Sequence, residues 1–340
     1  MTGAPLDLRS PFPYQVSPYA EQARAHTAAW VRDRELVHAE GARQRFERAD
    51  YAGLAALAFP SASRAHVELV ADWIAWAFLL DDHLDQGRLG QDPRRAQEIC
   101  DLMCTVLRTP GDPGAAADPA APKVVSGLAD LWSRTCADAP DAWRARFVAH
   151  LADGLDALAR WEAPNRVRDI VPDLPTYIQM RRHTGGMYPF MDLIAVGEHI
   201  DIPDAVHRRD PFTAALDAAC NVVVWTNDVY SLARERTGGE VHNLVSVVEH
   251  HRSLDRQTAL AHVKAMITSE TERYLGHEMR LLRAFPEHAA TLVPYAAGMR
   301  TWMRGNLDWS QRTLRYRIAG SGPQDPPDDP LEPALVESRR

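Results

Sequence analysis

Hydrophobic positions recur along most of this chain with the three-to-four-residue spacing of an α-helix, and no stretch shows the strict alternation of a half-buried strand. Residues 1–16 are the exception: they hold Pro5, Pro11 and Pro13 with no periodic pattern, so an extended arm is expected. Ser17-Pro18 reads as a helix start, serine at the N-cap and proline in the first turn. Pro60 ends a later segment, and Ser61 or Ser63 then caps a run over 65–85. Further helices are expected over 94–107, 124–137, 142–161, 174–183, onward to 199, and over 212–235, 243–250, 254–285 and 288–318. Pro164, Pro172 and Pro175 mark a connection, and Gly185-Gly186 and Gly238-Gly239 mark breaks. Residues 109–122 are rich in Pro, Gly and Ala and read as a surface loop, and 320–340 as a disordered tail. The fold class is therefore all-α, a single domain over 17–319 with roughly ten or more helices.

Two apolar runs end in oxygen donors. In the first, Phe78, Asp81, Asp82 and Asp85 follow the i, i+3, i+4, i+7 rule and share one helix face. Three acids turned toward a core would repel one another and lose hydration, so they suit that position only if a cation joins them. An all-oxygen donor set favours Mg²⁺ or a similar hard ion. The plainer alternative is a solvated acidic helix end. In the second, Asn227, Ser231 and Glu235 stand at i, i+4, i+8, and successive side chains drift by only about 40° around the helix. An amide oxygen, a hydroxyl and a carboxylate then form one strip directly after the apolar Val222-Val223-Val224-Trp225. Such a strip suits one octahedral Mg²⁺ that keeps room for water or phosphate oxygens, or else it is a polar face in solvent.

With 340 residues, 46% of them hydrophobic, the chain can bury a large core. A net charge of −8 supplies no basic field for nucleic acid or an anionic membrane, so an anionic ligand would have to be held by particular arginines or by metal ions. Cys100, Cys104, Cys136 and Cys220 form no C-x-x-C pair, and the first residues do not resemble a signal peptide, so reduced thiols in the cytoplasm are expected. No apolar run reaches the ~18 residues of a membrane span.

Taken together and in this order, Asp81-Asp82-x-x-Asp85 and Asn227-Asp228-x-x-Ser231-x-x-x-Glu235 resemble the aspartate-rich motif and the NSE triad of class I terpene synthases, most closely the bacterial branch. That family carries an arginine that senses diphosphate ahead of the triad. Arg181 or Arg182 matches its place, with Arg181 preferred because Thr184 and Gly185 then fall at the linker and effector positions. It also has an Arg-Tyr pair at the end of its last helix, which Arg315-Tyr316 matches, with Trp309 just before. The likeness runs from about residue 11 to 317. Thr184 stands where many relatives carry Asp, and Arg234 where many carry Lys.

The resemblance implies a helical bundle around a central cavity, a linear prenyl diphosphate as substrate, most readily farnesyl diphosphate with geranyl and geranylgeranyl diphosphate as alternatives, and three Mg²⁺ ions per site. Metal would be held by Asp81, Asp85, Asn227, Ser231 and Glu235, with Asp82 and Thr184 supporting from behind. Arg181, Arg234, Arg315 and Tyr316 would bind the diphosphate. Phe78, Gly185 and Trp309 would face the reacting chain, while Trp73, Trp76 and Trp225 read as ordinary core. A homodimer is a possibility raised by analogy. The competing readings are a prenyl-chain-elongating synthase, which needs a second aspartate-rich motif that the Asn/Ser/Glu strip does not supply, and a non-catalytic helical binding protein.

Overall fold

Ser63, and not Ser61, caps the helix that carries the acidic motif: its Oγ accepts the His66 N–H at 3.3 Å. The computed structural model describes residues 7–108, 121–137, 139–237, 241–317, 331–332 and 335–337. Within them lie α1 (Ala20–Asp33), α2 (Glu40–Ala49), α3 (Tyr51–Ala58), α4 (Arg64–Asp85), α5 (Pro93–Arg108), α6 (Lys123–Cys136), α7 (Asp141–Ala157) and α8 (Ala163–Val167). After these come α9 (Leu174–Thr184), α10 (Met187–Gly197), α11 (Asp204–His207), α12 (Asp210–Thr237), α13 (Leu244–Arg252), α14 (Arg256–Ala284) and α15 (Ala289–Arg312), with no strand among the described residues. The all-α expectation holds. The long α12 packs along α14 and α15, while α3 packs on α4, α1 and α15, and α4 packs on α1 as well. One continuous apolar core joins them.

Several boundaries differ from the expectation for identifiable reasons. The first helix begins at Ala20 rather than Pro18, because Ser17 Oγ accepts the Tyr19 N–H in a local turn instead of capping a helix. Pro164 does not end the helical path. The chain runs from α7 through a π-turn over Leu158–Glu162 into α8, where Pro164 occupies the first turn and has no N–H to leave unpaired. The last helix stops at Arg312, so Arg315 and Tyr316 lie in the turn beyond it, not on it. Residues 109–120, the Gly238-Gly239 break and most of the tail lie outside the described residues. The described part of the tail is packed: Leu335 is fully buried and Glu332 is 6% exposed.

All four cysteines are free thiols. No helix among the described residues is long and apolar enough to cross a membrane.

His66 shows how tightly the base of α4 is packed. A side-chain atom on Gly197 would sit 2.3 Å from its Nε2, so only glycine fits against it. Burial pushes the His66 pKa from 6.5 down to about 4. Between those values only the unfolded chain takes up the proton, so stability is full above pH 6.5 and falls as pH drops toward 4. The expected loss from this group is about 3 kcal/mol. Thermal unfolding of wild type and His66→Leu between pH 7 and 4 checks it: the variant should lose less stability on acidification, and equal losses would remove His66 as the cause.

Candidate active site

The acidic helix face is split by its surroundings rather than shared. Phe78 and Asp81 line an apolar cavity of about 130 Å³, roughly ten times what one water needs. Asp82, 2% exposed, turns behind it into three guanidiniums: Arg315 at 2.8 Å, Arg45 at 3.2 Å, and Arg234. Burial alone would raise the Asp82 pKa, but Arg234, Arg315 and Arg45 overcome it and hold the carboxyl well below the usual range. Asp85 does not line the cavity; it accepts from Arg166 Nη2 at 2.7 Å. The π-turn and α8 put that arginine there, and it also pairs with Glu162 at 3.1 Å. Asp81 is the acid left facing the cavity. Burial raises its pKa, with Arg315 at 3.1 Å opposing and Asp82 adding to the rise.

Across the cavity the second strip sits on α12. Asn227 lines the cavity, and Ser231 and Glu235 follow beneath it, 2% and 8% exposed. Ser231 Oγ donates to the Asn227 carbonyl at 2.8 Å. Glu235 Oε2 accepts from Asn243 Nδ2 at 2.8 Å, and the same amide donates to the Asp228 carbonyl at 2.7 Å. Asn243 also caps α13 through Val245 N–H, so one buried side chain ties the strip to the next helix. Burial, and after it the neighbouring Asp228, push the Glu235 pKa up to about 7. One residue between the strip's members carries a separate pairing. Asp228, fully buried, accepts from Tyr177 Oη at 2.6 Å, from Leu244 N–H at 3.0 Å and from Arg181 Nε at 3.0 Å.

The arginines gather between the two strips. Arg181 Nη2 donates to Asn227 Oδ1 at 3.1 Å while Asp228 fixes its other edge. Arg182 points elsewhere, to Tyr188 Oη at 2.8 Å and to Asn221. Arg315 Nη2 reaches Asp81, and Tyr316 Oη accepts from Asn227 Nδ2 at 2.6 Å. Consecutive residues, whose Cα atoms are ~3.8 Å apart, thus touch the acid of α4 and the amide of α12. The two motifs open on one space. Arg234 closes the same cluster from the end of α12.

Gly185, in the break between α9 and α10, lies against α12: a Cβ there would sit 2.6 Å from Val224 Cγ1 and 2.9 Å from the Arg181 carbonyl. Gly186 follows in the left-handed region, at φ +64°. Thr184 is buried and lines the cavity. Phe78 stacks on Tyr51 at 4.9 Å and covers Arg315 at 4.6 Å. Trp309 does not line the cavity. It stands behind Phe78 at 5.5 Å with its indole N–H on the Ala49 and Asp50 carbonyls. Trp73 and Trp76, read from the sequence as ordinary core, are buried and also form cavity wall, and Phe147, Phe190 and Trp302 complete the aromatic lining; Trp225 is buried outside it. The spacing of single helices could not show which aromatics from different helices meet.

Residues 72–273 match a family model described as terpene synthase family 2, C-terminal metal binding. The chain belongs to the terpene synthase family. It is 33% identical over 323 residues to pristinol synthase of Streptomyces pristinaespiralis, covering 92% of this chain and 85% of that one. It is also 33% identical over 316 residues to 10-epi-cubebol synthase of Sorangium cellulosum, covering 91% and 97%. The structure of linalool/nerolidol synthase from Streptomyces clavuligerus matches with a TM-score of 0.80 at 28% identity, over 89% of this chain and 100% of that one. This terpene synthase is of the bacterial class I type, a lyase that acts on a prenyl diphosphate.

The donors present fit a metal. In this terpene synthase no group of three or more His, Cys, Asp or Glu side chains among the described residues is arranged to hold a metal ion by itself. A cation would therefore rest on mixed oxygens: Asp81 on one side, and the amide, hydroxyl and carboxylate of the strip on the other. Both facing carboxyls, Asp81 and Glu235, are raised by burial, the state of an acid whose charge its neighbours do not fully offset. Hard oxygen donors of this kind suit a divalent ion that completes its shell with water or phosphate oxygen.

Proposed function

We propose that this synthase ionises farnesyl diphosphate with Mg²⁺ and cyclises the resulting allylic cation, releasing diphosphate. The observation that carries the reading is the bridge from Arg315 at Asp81 to Tyr316 at Asn227, where Asp81 and Asn227 line one apolar cavity together with Arg181. Sesquiterpene cyclases among its relatives, such as the (2E,6E)-farnesyl diphosphate cyclising (+)-T-muurolol synthase of Roseiflexus castenholzii, support the fifteen-carbon chain.

Asp81 and the Asn227/Ser231/Glu235 strip would hold the metal, three ions per site by the family resemblance. Bound Mg²⁺ would supply positive charge against the departing diphosphate. Arg181, Arg234, Arg315 and Tyr316 bind and orient that diphosphate through N–H and O–H donors; the guanidinium fork suits phosphate oxygens. Asp82 and Asp85 act through Arg45, Arg234, Arg315 and Arg166 rather than on the cation. The apolar walls exclude bulk water, which would otherwise quench the carbocation. Aromatic faces can stabilise a passing positive charge by ~0.5–2 kcal/mol each. That is too little to break a carbon–oxygen bond, so the rings steer what the charged groups start.

Gas chromatography–mass spectrometry of products from geranyl, farnesyl and geranylgeranyl diphosphates, with Mg²⁺ and without isopentenyl diphosphate, tests the reading. Cyclic C15 products appearing only with Mg²⁺ support it. Cyclic C10 or C20 products alone correct the chain length, and chain elongation on adding isopentenyl diphosphate points to the elongating class. Phe78→Ala is expected to keep diphosphate release and change the product mixture, because its ring stands one turn before Asp81 in the cavity wall. An unchanged mixture assigns Phe78 to packing alone.

A further inference from the structure

The tail residues Glu332 and Leu335 return to the body of the protein behind the acid motif. The Glu332 carboxylate accepts two main-chain N–H bonds, from His38 and Ala39, at 2.7 Å each. These are donors at the start of α2, whose N-cap, Ala39, has no side chain able to cap it. A carboxylate there also meets the positive end of the helix dipole. His83, the residue after Asp82, hydrogen-bonds the Glu332 main chain. Leu331 and Glu332 share one small crevice with Arg45, Tyr51, Asp82 and His83. The tail therefore ties the start of α2 to the end of α4.

What α2 delivers at this place is Arg45, whose Nε donates to Asp82 at 3.2 Å and whose Nη2 donates to Gln86 at 2.5 Å. Asp82 divides its charge among Arg45, Arg234 and Arg315. If α2 drifts and Arg45 leaves, the whole carboxylate charge falls on the other two. Arg315 is then drawn toward Asp82 and away from the place where it serves Asp81 and a diphosphate.

We propose that Glu332 is a positioning residue for the reaction: it clasps α2 to α4, seats Arg45 on Asp82, and so leaves Arg315 free to grip diphosphate. This rests on the diphosphate site assigned above. The clasp acts on the grip of the diphosphate, so its signature is weaker Mg²⁺-dependent diphosphate affinity together with more water-quenched acyclic alcohol.

Calorimetry with inorganic diphosphate and Mg²⁺ on the full-length protein tests it. Glu332→Ala is expected to weaken diphosphate binding about five-fold or more, the scale of ordinary coupling between sites. Glu332→Gln, which keeps an acceptor oxygen of the same reach, should recover most of that loss. The double variant Glu332→Ala/Arg45→Met should bind no more weakly than Arg45→Met alone, since both changes break one linkage. With farnesyl diphosphate, Glu332→Ala should raise the acyclic share of product. Wild-type affinity in Glu332→Ala, or losses that add in the double variant, overturn the clasp. A wild type that binds diphosphate yet forms no cyclic product instead overturns the proposed function, and the binding comparison still judges Glu332.

Discussion

Replacing Arg315 with methionine is expected to abolish turnover and to destabilise the fold by about 3–5 kcal/mol, the cost of stripping one partner from a buried ion cluster. The guanidinium is 3% exposed and satisfies three groups at once: Asp81 at 3.1 Å, Asp82 at 2.8 Å and Tyr51 Oη at 2.8 Å. It is also covered by the Phe78 ring. Methionine fills the space but leaves the buried Asp82 and the partly exposed Asp81 short of charge. Burial already raises Asp81, and without Arg315 it would lose the strongest influence opposing that rise. Urea unfolding with a steady-state assay measures both effects. A variant within about 1 kcal/mol of wild type, the range of an exposed pair, would show that Arg315 is a surface salt bridge and not the keystone of the cluster.

Glu235→Gln is expected to separate stability from metal use. In the metal-free fold the Glu235 carboxyl is pushed up to about 7, first by burial and then by Asp228. Its unfolded value is 4.5. Between these pH values the folded protein holds a proton that the unfolded chain has lost, so metal-free stability falls as pH rises through the window. Glutamine keeps the shape without the charge, so the variant should be at least as stable as wild type at pH 7 and lack that fall. Its Mg²⁺ requirement should rise about ten-fold or more, since a hard ion loses its only charged ligand on that strip. In wild type, Mg²⁺ must displace the proton, so apparent affinity should climb with pH up to about 7 and then level off. An unchanged Mg²⁺ titration in Glu235→Gln removes this carboxylate from the metal set.

The reading of the chain as helices was carried by local signals, and those survive folding where a cap or a glycine enforces them. Ser63 before α4 and Gly185-Gly186 after α9 are such cases. It was less reliable where tertiary contacts decide. Pro164 reads with Pro172 and Pro175 as part of a connection, yet the π-turn before it lets the helical path continue and brings Arg166 to Asp85. Helical periodicity ran on to 318, but the chain leaves α15 at Arg312, and the turn that follows is what lets Arg315 and Tyr316 reach opposite sides of the cavity mouth.

The site was legible in kind and less so in assignment. Spacing placed Phe78, Asp81, Asp82 and Asp85 on one face, and it could not show that three arginines would draw Asp82 away or that Arg166 would take Asp85. Asn243, Tyr177 and Asp228, which hold the second strip in place, carry no motif beyond ordinary capping and pairing residues. Asn243 had one usable signal: it opens a helix four residues after Gly239. Glu332 had none, because the composition of the tail argued for disorder.

The central claim is that Asp81 and the Asn227/Ser231/Glu235 strip grip one diphosphate from two sides. A crystal structure of this protein grown with Mg²⁺ and inorganic diphosphate tests it most directly. The account predicts metal density at both Asp81 and the strip, joined by a single diphosphate that also accepts from Arg181, Arg315 and Tyr316. Metal confined to one strip, or a diphosphate seated away from the cavity mouth, would contradict it.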